Sequence, residues 1–140
     1  KANKLKKNKN KIYVLISDGE LNCGSTWEAL LLTSKFNLDN LIILIDFNGY
    51  QATGKSNEIL PIEPIISKFK SFGIDIVRID GHNNQEILKY LKQKLSRPLA
   101  ILCKTLKGKG ISFMENDNNW HYRSPNFDEL HQAISEIEKK

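Results

Sequence analysis

Apolar residues form two kinds of run along the chain: short unbroken ones, and longer ones in which they recur every three or four positions. Short unbroken runs are typical of strands buried on both faces of a parallel sheet. Recurrence every three or four positions predicts a helix with one apolar face. The predicted strands cover residues 12–17, 41–47, 74–79 and 99–104, and the predicted helices cover residues 25–36, 61–72, 85–95 and 126 onward.

Local signals mark the ends of two of these helices. Pro61 opens the second helix, where the N–H that proline lacks is not needed, and Gly73 ends it. Asn126 is followed three residues later by Glu129, which predicts a capping box at the start of the last helix. The side chains expected on buried faces are Trp27, Leu30, Leu31 and Leu32 of the first helix, and Phe127, Leu130, Ile134 and Ile137 of the last.

Strands and helices alternate along the chain. This order favours an α/β fold with three layers, in which a mostly parallel sheet has helices on both faces. In such sheets, ligands bind beyond the carboxyl ends of the strands. Three polar segments follow predicted strands and are therefore candidates for a site: residues 17–24, 46–54 and 105–121.

The net charge of +5 would favour nucleic-acid binding only if the basic residues lay together on the folded surface. The six lysines within residues 1–11 account for the excess, because the rest of the chain carries 15 basic and 16 acidic side chains. We therefore expect residues 1–11 to be a basic leader or helix end, and we expect no nucleic-acid partner.

The two cysteines, Cys23 and Cys103, are far apart and form no Cys-x-x-Cys pair. Reduced thiols in a cytoplasmic protein are therefore expected rather than a zinc site or a disulfide. No apolar run reaches transmembrane length, and the first residues lack the apolar core of a signal peptide. No membrane association is expected.

Two of the candidate segments carry side chains that suit a metal ion. Asp18 follows the first predicted strand, and Asn48 follows the second, 30 residues later. Because one strand–helix–strand unit fills that interval, the two side chains are expected to meet at one edge of the sheet. A carboxylate, an amide oxygen and a main-chain carbonyl suit Mg²⁺, which takes its other ligands from phosphate and water. Asp-Gly and Asn-Gly are also common in simple turns, so that interpretation stays open.

Asp18-Gly19 followed by Asn48 resembles the motif of thiamine-diphosphate enzymes, in which Gly-Asp-Gly precedes a segment that contains asparagine. Residues 17–54, 80–83 and 104–121 each resemble the transketolase family, and the resemblance as a whole covers residues 12–125. It implies the thiamine-diphosphate-binding fold. Residues 12–140 would be a partial domain, the C-terminal portion of the part that binds the diphosphate and the metal ion.

The resemblance implies a function for individual positions. Asp18 and Asn48 would bind Mg²⁺, or else Ca²⁺ or Mn²⁺, through side-chain oxygens. Tyr50 would complete the metal site through its main-chain carbonyl. Gly19 and Glu20 would lie at the cofactor, with Gly19 against its diphosphate.

His121 matches the transketolase histidine that reaches the diphosphate and the reaction centre, so the resemblance implies a catalytic and cofactor-binding residue. The resemblance also implies that Cys23 and Glu28 would lie near a subunit interface. Cys23 departs from the family, which usually has a glutamate there that links the two active sites of a dimer. A thiol cannot replace that charge near pH 7 unless its pKa is depressed. Ser17 likewise replaces the first glycine of Gly-Asp-Gly.

By this resemblance, the enzyme would transfer a two-carbon ketol unit from a ketose to an aldose, with sugar phosphates or related sugars as substrates. The pyrimidine-binding domain would lie on the same chain or on a separate C-terminal subunit, in a homodimer or a heterotetramer. One alternative is a non-catalytic remnant or scaffold module of the same fold. Another is a 2-oxoacid dehydrogenase or deoxyxylulose-phosphate synthase, but those enzymes lack the run at residues 104–121.

Overall fold

The structure is a computed structural model that describes residues 1–139. Two 3₁₀ helices, Gly19–Asn22 and Asn118–His121, accompany the strands and α-helices. In chain order the other elements are α1 (Ala2–Leu5), β1 (Ile12–Ser17), α2 (Gly24–Lys35), β2 (Leu41–Phe47), β3 (Tyr50–Gln51), β4 (Gly54–Lys55), α3 (Ser56–Ile59), α4 (Ile65–Ser71), β5 (Asp75–Asp80), α5 (Asn84–Lys92), β6 (Leu99–Lys104) and α6 (Phe127–Glu138).

The strands β1, β2, β6 and β5 lie side by side in that order and form one parallel sheet, which confirms the predicted α/β fold. The register pairs Ser17 of β1 with Asp46 of β2, and Asp46 with Cys103 of β6. β1 and β2 therefore end at nearly the same level, and the residues that follow them emerge at one edge of the sheet. The antiparallel hairpin of β3 and β4 follows β2 directly.

Helices cover both faces of the sheet, so the three predicted layers are present. On one face, α2 and α4 pack around the fully buried Phe69, whose ring meets Trp27 edge-on with the centroids 5.6 Å apart. On the other face, α5 packs over β5, β6 and part of β2. Removal of these apolar side chains from water is the main stabilisation of the fold.

The prediction that β1 is buried on both faces is wrong. Tyr13 is 51% exposed and Leu15 is 73% exposed. β1 is an edge strand, paired only with β2 among the strands of residues 1–139. Its register pairs Tyr13 with Ile42 and Leu15 with Leu44. On this face of the sheet, α5 covers β5, β6 and part of β2 but does not extend over β1. The unbroken apolar run identified the strand correctly but carries no information about what covers it.

The helix predicted to begin at Pro61 begins at Ile65 instead. A proline disfavours helical backbone angles in the residue before it, and Pro64 has this effect on Glu63, which the prediction from Pro61 neglected. The Glu63 carboxylate accepts a hydrogen bond from the Ile65 N–H at 2.7 Å and so satisfies one of the helix's unpaired donors. The predicted end is correct, because Gly73 has a φ of 74°, where glycine is favoured.

The predicted capping box of α6 is confirmed, since Asn126 and Glu129 each accept a hydrogen bond from the other's main-chain N–H. The predicted buried face of α6 is wrong, because Ala133 is buried whereas the four larger apolar residues are exposed. Helical spacing shows that residues share one side of a helix, not that this side is covered. The exposed apolar residues of α6 and α2 are Phe127, Leu130, Ile134 and Ile137, and Leu31 and Leu32. Within residues 1–139, every helix is too short or too polar to traverse a lipid bilayer.

Candidate functional site

Asp18 lies between the carboxyl ends of β1 and β2 and is only 1% exposed. Its Oδ2 accepts hydrogen bonds from the Gly49 N–H and from the Ser56 hydroxyl, both at 2.9 Å. Gly49 is the residue between Asn48 and Tyr50, so the carboxylate lies directly against the turn that follows β2. The two strand ends therefore meet, as the spacing of the polar segments predicted.

The second carboxylate oxygen of Asp18, Oδ1, is buried and has no hydrogen-bond partner among residues 1–139. Burial raises the pKa of this carboxyl above its ordinary value, and the nearby charge of Asp46 raises it further, against the lowering effect of the hydrogen bonds from Ser56 and Gly49 and of the adjacent main-chain N–H of Gly19. A buried unpaired anionic oxygen is costly unless a positive charge lies beside it. A cation at Oδ1 would remove that cost.

Asn48 is held in one orientation by its neighbours. Its Nδ2 donates to Asp46 Oδ2 at 2.9 Å, and its Oδ1 accepts from the Tyr50 N–H at 2.8 Å. The hydroxyl of Thr105 donates to the other oxygen of Asp46. Because an amide oxygen has two lone pairs, Asn48 Oδ1 retains one for a further ligand.

The atoms at this edge of the sheet that could bind a metal ion are oxygens. Within residues 1–139, no group of three His, Cys, Asp or Glu side chains is placed to hold a metal ion. A metal site here would therefore depend on Asp18 together with the amide oxygen of Asn48 and the main-chain carbonyl of Tyr50. A small set of hard oxygens, completed by phosphate and water, suits Mg²⁺. These residues fit such an ion.

Gly19 and Glu20 form the start of the 3₁₀ helix that follows β1. A Cβ added to Gly19 would come within 3.4 Å of the side chain of Gln51, so this side chain packs against the glycine. The Glu20 carboxylate accepts hydrogen bonds from the main-chain N–H of Ser17 at 2.8 Å and from its hydroxyl at 3.2 Å. Glu20 thus stabilises the turn, and its contact with a cofactor stays a prediction.

The segment that precedes His121 is fastened to the β3–β4 hairpin. The Tyr50 hydroxyl donates to the Asn116 carbonyl at 2.8 Å, and Asn118 Nδ2 donates to the Ala52 carbonyl at 3.1 Å. At the start of the segment, His82 Nε2 accepts from the Leu106 N–H at 2.8 Å. A cavity of about 650 Å³ lies between the hairpin and this segment, lined by Ala52, Asp117, Asn118, Asn119, Trp120, Tyr122 and Arg123.

His121 itself is exposed, and its ring contacts Tyr122 edge-on with the centroids 4.8 Å apart. Residues on both sides of it line the cavity, but His121 is not among them. The structure therefore places His121 next to this cavity, and within residues 1–139 its one ring contact is with Tyr122 rather than with Asp18 or Asn48. Its catalytic role stays a prediction.

Cys23 and Glu28 are both exposed, near the start of α2. Cys23 is the residue before the first turn of that helix, and its thiol is free, as is the buried thiol of Cys103. The exposure of Cys23 and Glu28 is compatible with the predicted interface, which stays a prediction.

Four residues that shape this site were not identified from the sequence: Asp46, Gln51, Ser56 and Thr105. Asp46 was detectable, because a carboxylate at the end of an unbroken apolar strand must lie at the ligand-binding edge. Ser56 and Thr105 lie 38 and 59 positions from the carboxylates they contact, and nothing local in the sequence pairs them. Gln51 lies between a predicted metal ligand and a turn, with no pattern that distinguishes it.

Comparison with known proteins identifies relatives over most of the chain. A family model described as "Transketolase, thiamine diphosphate binding domain" matches residues 2–137. One subunit of the apulose-4-phosphate transketolase of Actinobacillus succinogenes is 39% identical over 131 residues, which are 92% of this chain and 48% of that protein. The transketolase of Homo sapiens is 33% identical over 127 residues, 91% of this chain and 20% of that protein. The crystal structure of transketolase from Campylobacter jejuni superposes with a TM-score of 0.86 and 30% identity, over 92% of this chain and 21% of that one. The chain thus spans about half the length of its relative from Actinobacillus succinogenes and about a fifth of the other two.

Proposed function

We propose that this chain, which belongs to the transketolase family, binds thiamine diphosphate through a divalent metal ion held at the ends of β1 and β2. The observation that carries the proposal is Asp18 Oδ1, the buried carboxylate oxygen without a hydrogen-bond partner in residues 1–139. The other oxygen of the same carboxylate, Oδ2, accepts a hydrogen bond from Gly49, in the turn where Asn48 and the carbonyl of Tyr50 would supply the other protein oxygens. The ion would be Mg²⁺, or else Ca²⁺ or Mn²⁺.

In this proposal the residues around the ligands keep them oriented. Asp46 holds the NH₂ group of Asn48, so that the amide oxygen is the atom left for the metal ion. Ser56 and the Gly49 N–H occupy one oxygen of Asp18 and leave the other for the ion. Partners of this kind fix the geometry of metal ligands and raise metal affinity.

The whole enzyme would transfer a two-carbon ketol unit from a ketose to an aldose, such as sugar phosphates, in the cytoplasm. When bound, the cofactor's thiazolium ring supplies the carbanion chemistry that the transfer requires. This chain would anchor and orient the diphosphate end, and His121 would contact the reacting groups. The relatives are transketolases or transketolase subunits, which favours ketol transfer over 2-oxoacid dehydrogenase or deoxyxylulose-phosphate synthase chemistry.

Isothermal titration calorimetry tests the proposal on the protein with any subunit that co-purifies. Thiamine diphosphate is expected to bind saturably when Mg²⁺ is present and to lose measurable binding when EDTA is added, because the Asp18 carboxylate and the diphosphate are both anionic and would repel each other without a cation. Thiamine without its diphosphate is the matched control and is expected not to bind measurably. The absence of binding, or equal binding with and without the metal ion, would contradict the proposal.

A non-catalytic scaffold of the same fold is the second candidate, and Cys23 favours it. An exposed thiol stands where transketolases usually carry the glutamate that links the two active sites. Measurement of ketol transfer by the co-purified complex separates the two candidates: turnover contradicts the scaffold, whereas binding of thiamine diphosphate without turnover supports it.

We further propose that the pyrimidine-binding part of the enzyme packs on the exposed apolar residues of β1 and α6. This part would belong to the same polypeptide or to a separate subunit, in a homodimer or a heterotetramer. The free edge of β1, with Tyr13 and Leu15, and the exposed apolar side of α6 would otherwise face water. Large apolar side chains exposed on a strand or helix are typical of sites of protein association.

Leu15→Glu tests this surface on the chain itself. The substitution is expected to reduce concentration-dependent self-association of the 140-residue chain and its binding of the dye ANS, because it places a charge on the open edge of the sheet. The melting temperature is expected to change little, since Leu15 is already 73% exposed. Sedimentation velocity and dye fluorescence provide the measurements. Leu5→Glu is the control, because Leu5 is equally exposed, at 74%, but lies on α1.

The expected difference between the two substitutions decides the question. If Leu15→Glu and Leu5→Glu have the same effect on self-association and dye binding, the β1 edge is not an association surface.

A further inference from the structure

The side-chain nitrogen of Gln51, Nε2, is buried, and the side chain packs beside the turn that follows Asp18. Its Nε2 has no hydrogen-bond partner among residues 1–139. Its Cγ, Cβ and Cδ lie 3.4–3.7 Å from the position that a Cβ on Gly19 would occupy, so the side chain packs on the turn that follows β1. A buried N–H donor without an acceptor destabilises a protein, and such a donor calls for an explanation.

The other buried and unpaired side-chain polar atoms in residues 1–139 are of the opposite kind. Asp18 Oδ1, Asn22 Oδ1 and Asn118 Oδ1 are all acceptors, and Gln51 Nε2 is the one donor among the four. Two of these acceptors flank Gly19, against which Gln51 packs. Asp18 precedes the 3₁₀ turn that begins at Gly19, and Asn22 ends it. Unpaired acceptors suit a cation, whereas an unpaired donor suits an anion. A metal ion together with a phosphate group would satisfy both kinds of atom at once.

We infer that Gln51 is a diphosphate-binding residue, which donates a hydrogen bond from Nε2 to a phosphate oxygen of the cofactor. The inference rests on the proposed function and adds to it a residue outside the metal-binding set. Gln51 follows Tyr50 directly in β3, so the residue that offers the metal ion a carbonyl is succeeded by one that offers the anion a donor. A hydrogen bond to a charged acceptor is stronger than one between neutral groups.

A purely steric role for Gln51 is the competing explanation. The side chain fills the space beside Gly19, and a change in its shape would move the turn and weaken binding without any hydrogen bond. Two substitutions of similar length separate the two roles. Gln51→Met preserves the length and the apolar packing but removes the donor. Gln51→Glu preserves the shape but replaces the donor with a negative charge, which repels phosphate.

The experiment measures the dissociation constants of thiamine diphosphate and of inorganic pyrophosphate, each with Mg²⁺, by calorimetry on the protein with any co-purifying subunit. Gln51→Met is expected to weaken both ligands about tenfold, the loss that corresponds to one hydrogen bond to a charged group. Gln51→Glu is expected to weaken them further, by about 100-fold, because repulsion is added to the lost hydrogen bond. Gln93→Glu is the matched control: Gln93 is exposed and near Lys11, which precedes β1, and this substitution is expected to leave both constants unchanged.

A second measurement does not depend on any substitution. In ¹⁵N-labelled protein, the side-chain NH₂ resonances of Gln51 are expected to shift downfield when thiamine diphosphate and Mg²⁺ are added, and thiamine alone is expected to leave them unchanged. Unchanged resonances, or equal weakening by Gln51→Met and Gln51→Glu, would overturn the role of Gln51 as a donor. If the unsubstituted protein binds thiamine diphosphate in a metal-dependent way but neither substitution affects it, the proposed function stands and the inference fails. If the unsubstituted protein does not bind, both fail.

Discussion

Asp18→Asn is expected to abolish metal-dependent binding of thiamine diphosphate while leaving the ligand-free protein at least as stable as before. Loss of a residue that merely supports a metal ligand lowers affinity by about 10–100-fold, so removal of the ligand's charge itself should cost at least about 100-fold. The fold does not need that charge. The buried oxygen Oδ1 has no partner in residues 1–139, and burial raises the pKa of the carboxyl. Asparagine retains an oxygen that can accept the hydrogen bonds from Gly49 and Ser56.

The raised pKa of Asp18 gives this substitution a pH signature in the ligand-free protein. A carboxyl whose pKa is higher in the folded state than in the unfolded state binds its proton more tightly when folded. Its contribution to the free energy of unfolding is therefore fully present below the unfolded pKa and is lost as pH rises through the higher folded pKa. Asp18→Asn removes this component, so the gain in stability over the unsubstituted protein is expected to be larger at neutral pH than in acid.

Calorimetry with Mg²⁺ measures the affinity for thiamine diphosphate, and thermal melts from acid to neutral pH measure the stability of the ligand-free protein. Asp75→Asn is the matched control, because Asp75 is an exposed aspartate at the start of β5, at the opposite edge of the sheet. It is expected to leave cofactor affinity unchanged. Retention of metal-dependent binding by Asp18→Asn would show that Asp18 is not a metal ligand. A large loss of stability would show that the fold itself requires the charge.

The meeting of Asp18 with the Asn48 turn could be predicted from the sequence because it depends only on strand order. An unbroken apolar strand followed by a polar segment, twice in succession with a helix between, places both polar segments at one edge of a parallel sheet. The observed register of β1 with β2 produces this result directly. Family resemblance then supplied the identity of the ligand, which strand order alone does not contain.

The features that could not be predicted depend on what lies far away in sequence or on what covers a surface. Ser56 reaches Asp18, and Thr105 reaches Asp46, through loops whose paths no local pattern specifies. The exposure of Leu15 and Phe127 depends on neighbours rather than on periodicity, so an apolar run and a helical stripe gave the right elements with the wrong burial. The late start of α4 was detectable, since Pro64 stands in the sequence, and the error came from the weight given to Pro61.

Gly108 lies in the turn that leads from β6 toward His121, and the backbone there leaves no room for a side chain. Its φ is 72°, in the left-handed region that favours glycine. A Cβ at this position would lie 2.2 Å from the carbonyl oxygen of Met114 and 2.5 Å from its carbonyl carbon. The same turn is closed by a hydrogen bond from the Asn116 N–H to the Lys107 carbonyl, and Asn116 in turn accepts from the Tyr50 hydroxyl. A displacement at Gly108 would therefore reach the hairpin of the candidate site.

Gly108→Ala is expected to lower the free energy of unfolding by about 2–4 kcal/mol, which combines the cost of the left-handed backbone with that of overpacking against main-chain atoms. Thiamine diphosphate affinity is expected to fall as well, because the hydrogen bond from Tyr50 to Asn116 is lost when the turn moves. Urea denaturation and calorimetry provide the measurements. Gly49→Ala is the control for the cost of the left-handed backbone alone, since Gly49 has a φ of 83° but open space around it. Gly24→Ala is the control for the loss of glycine itself. Gly24 has open space and an ordinary φ, so this substitution is expected to be neutral or slightly stabilising. If Gly108→Ala unfolds at the same urea concentration as Gly49→Ala, the close approach of Met114 does not constrain this turn.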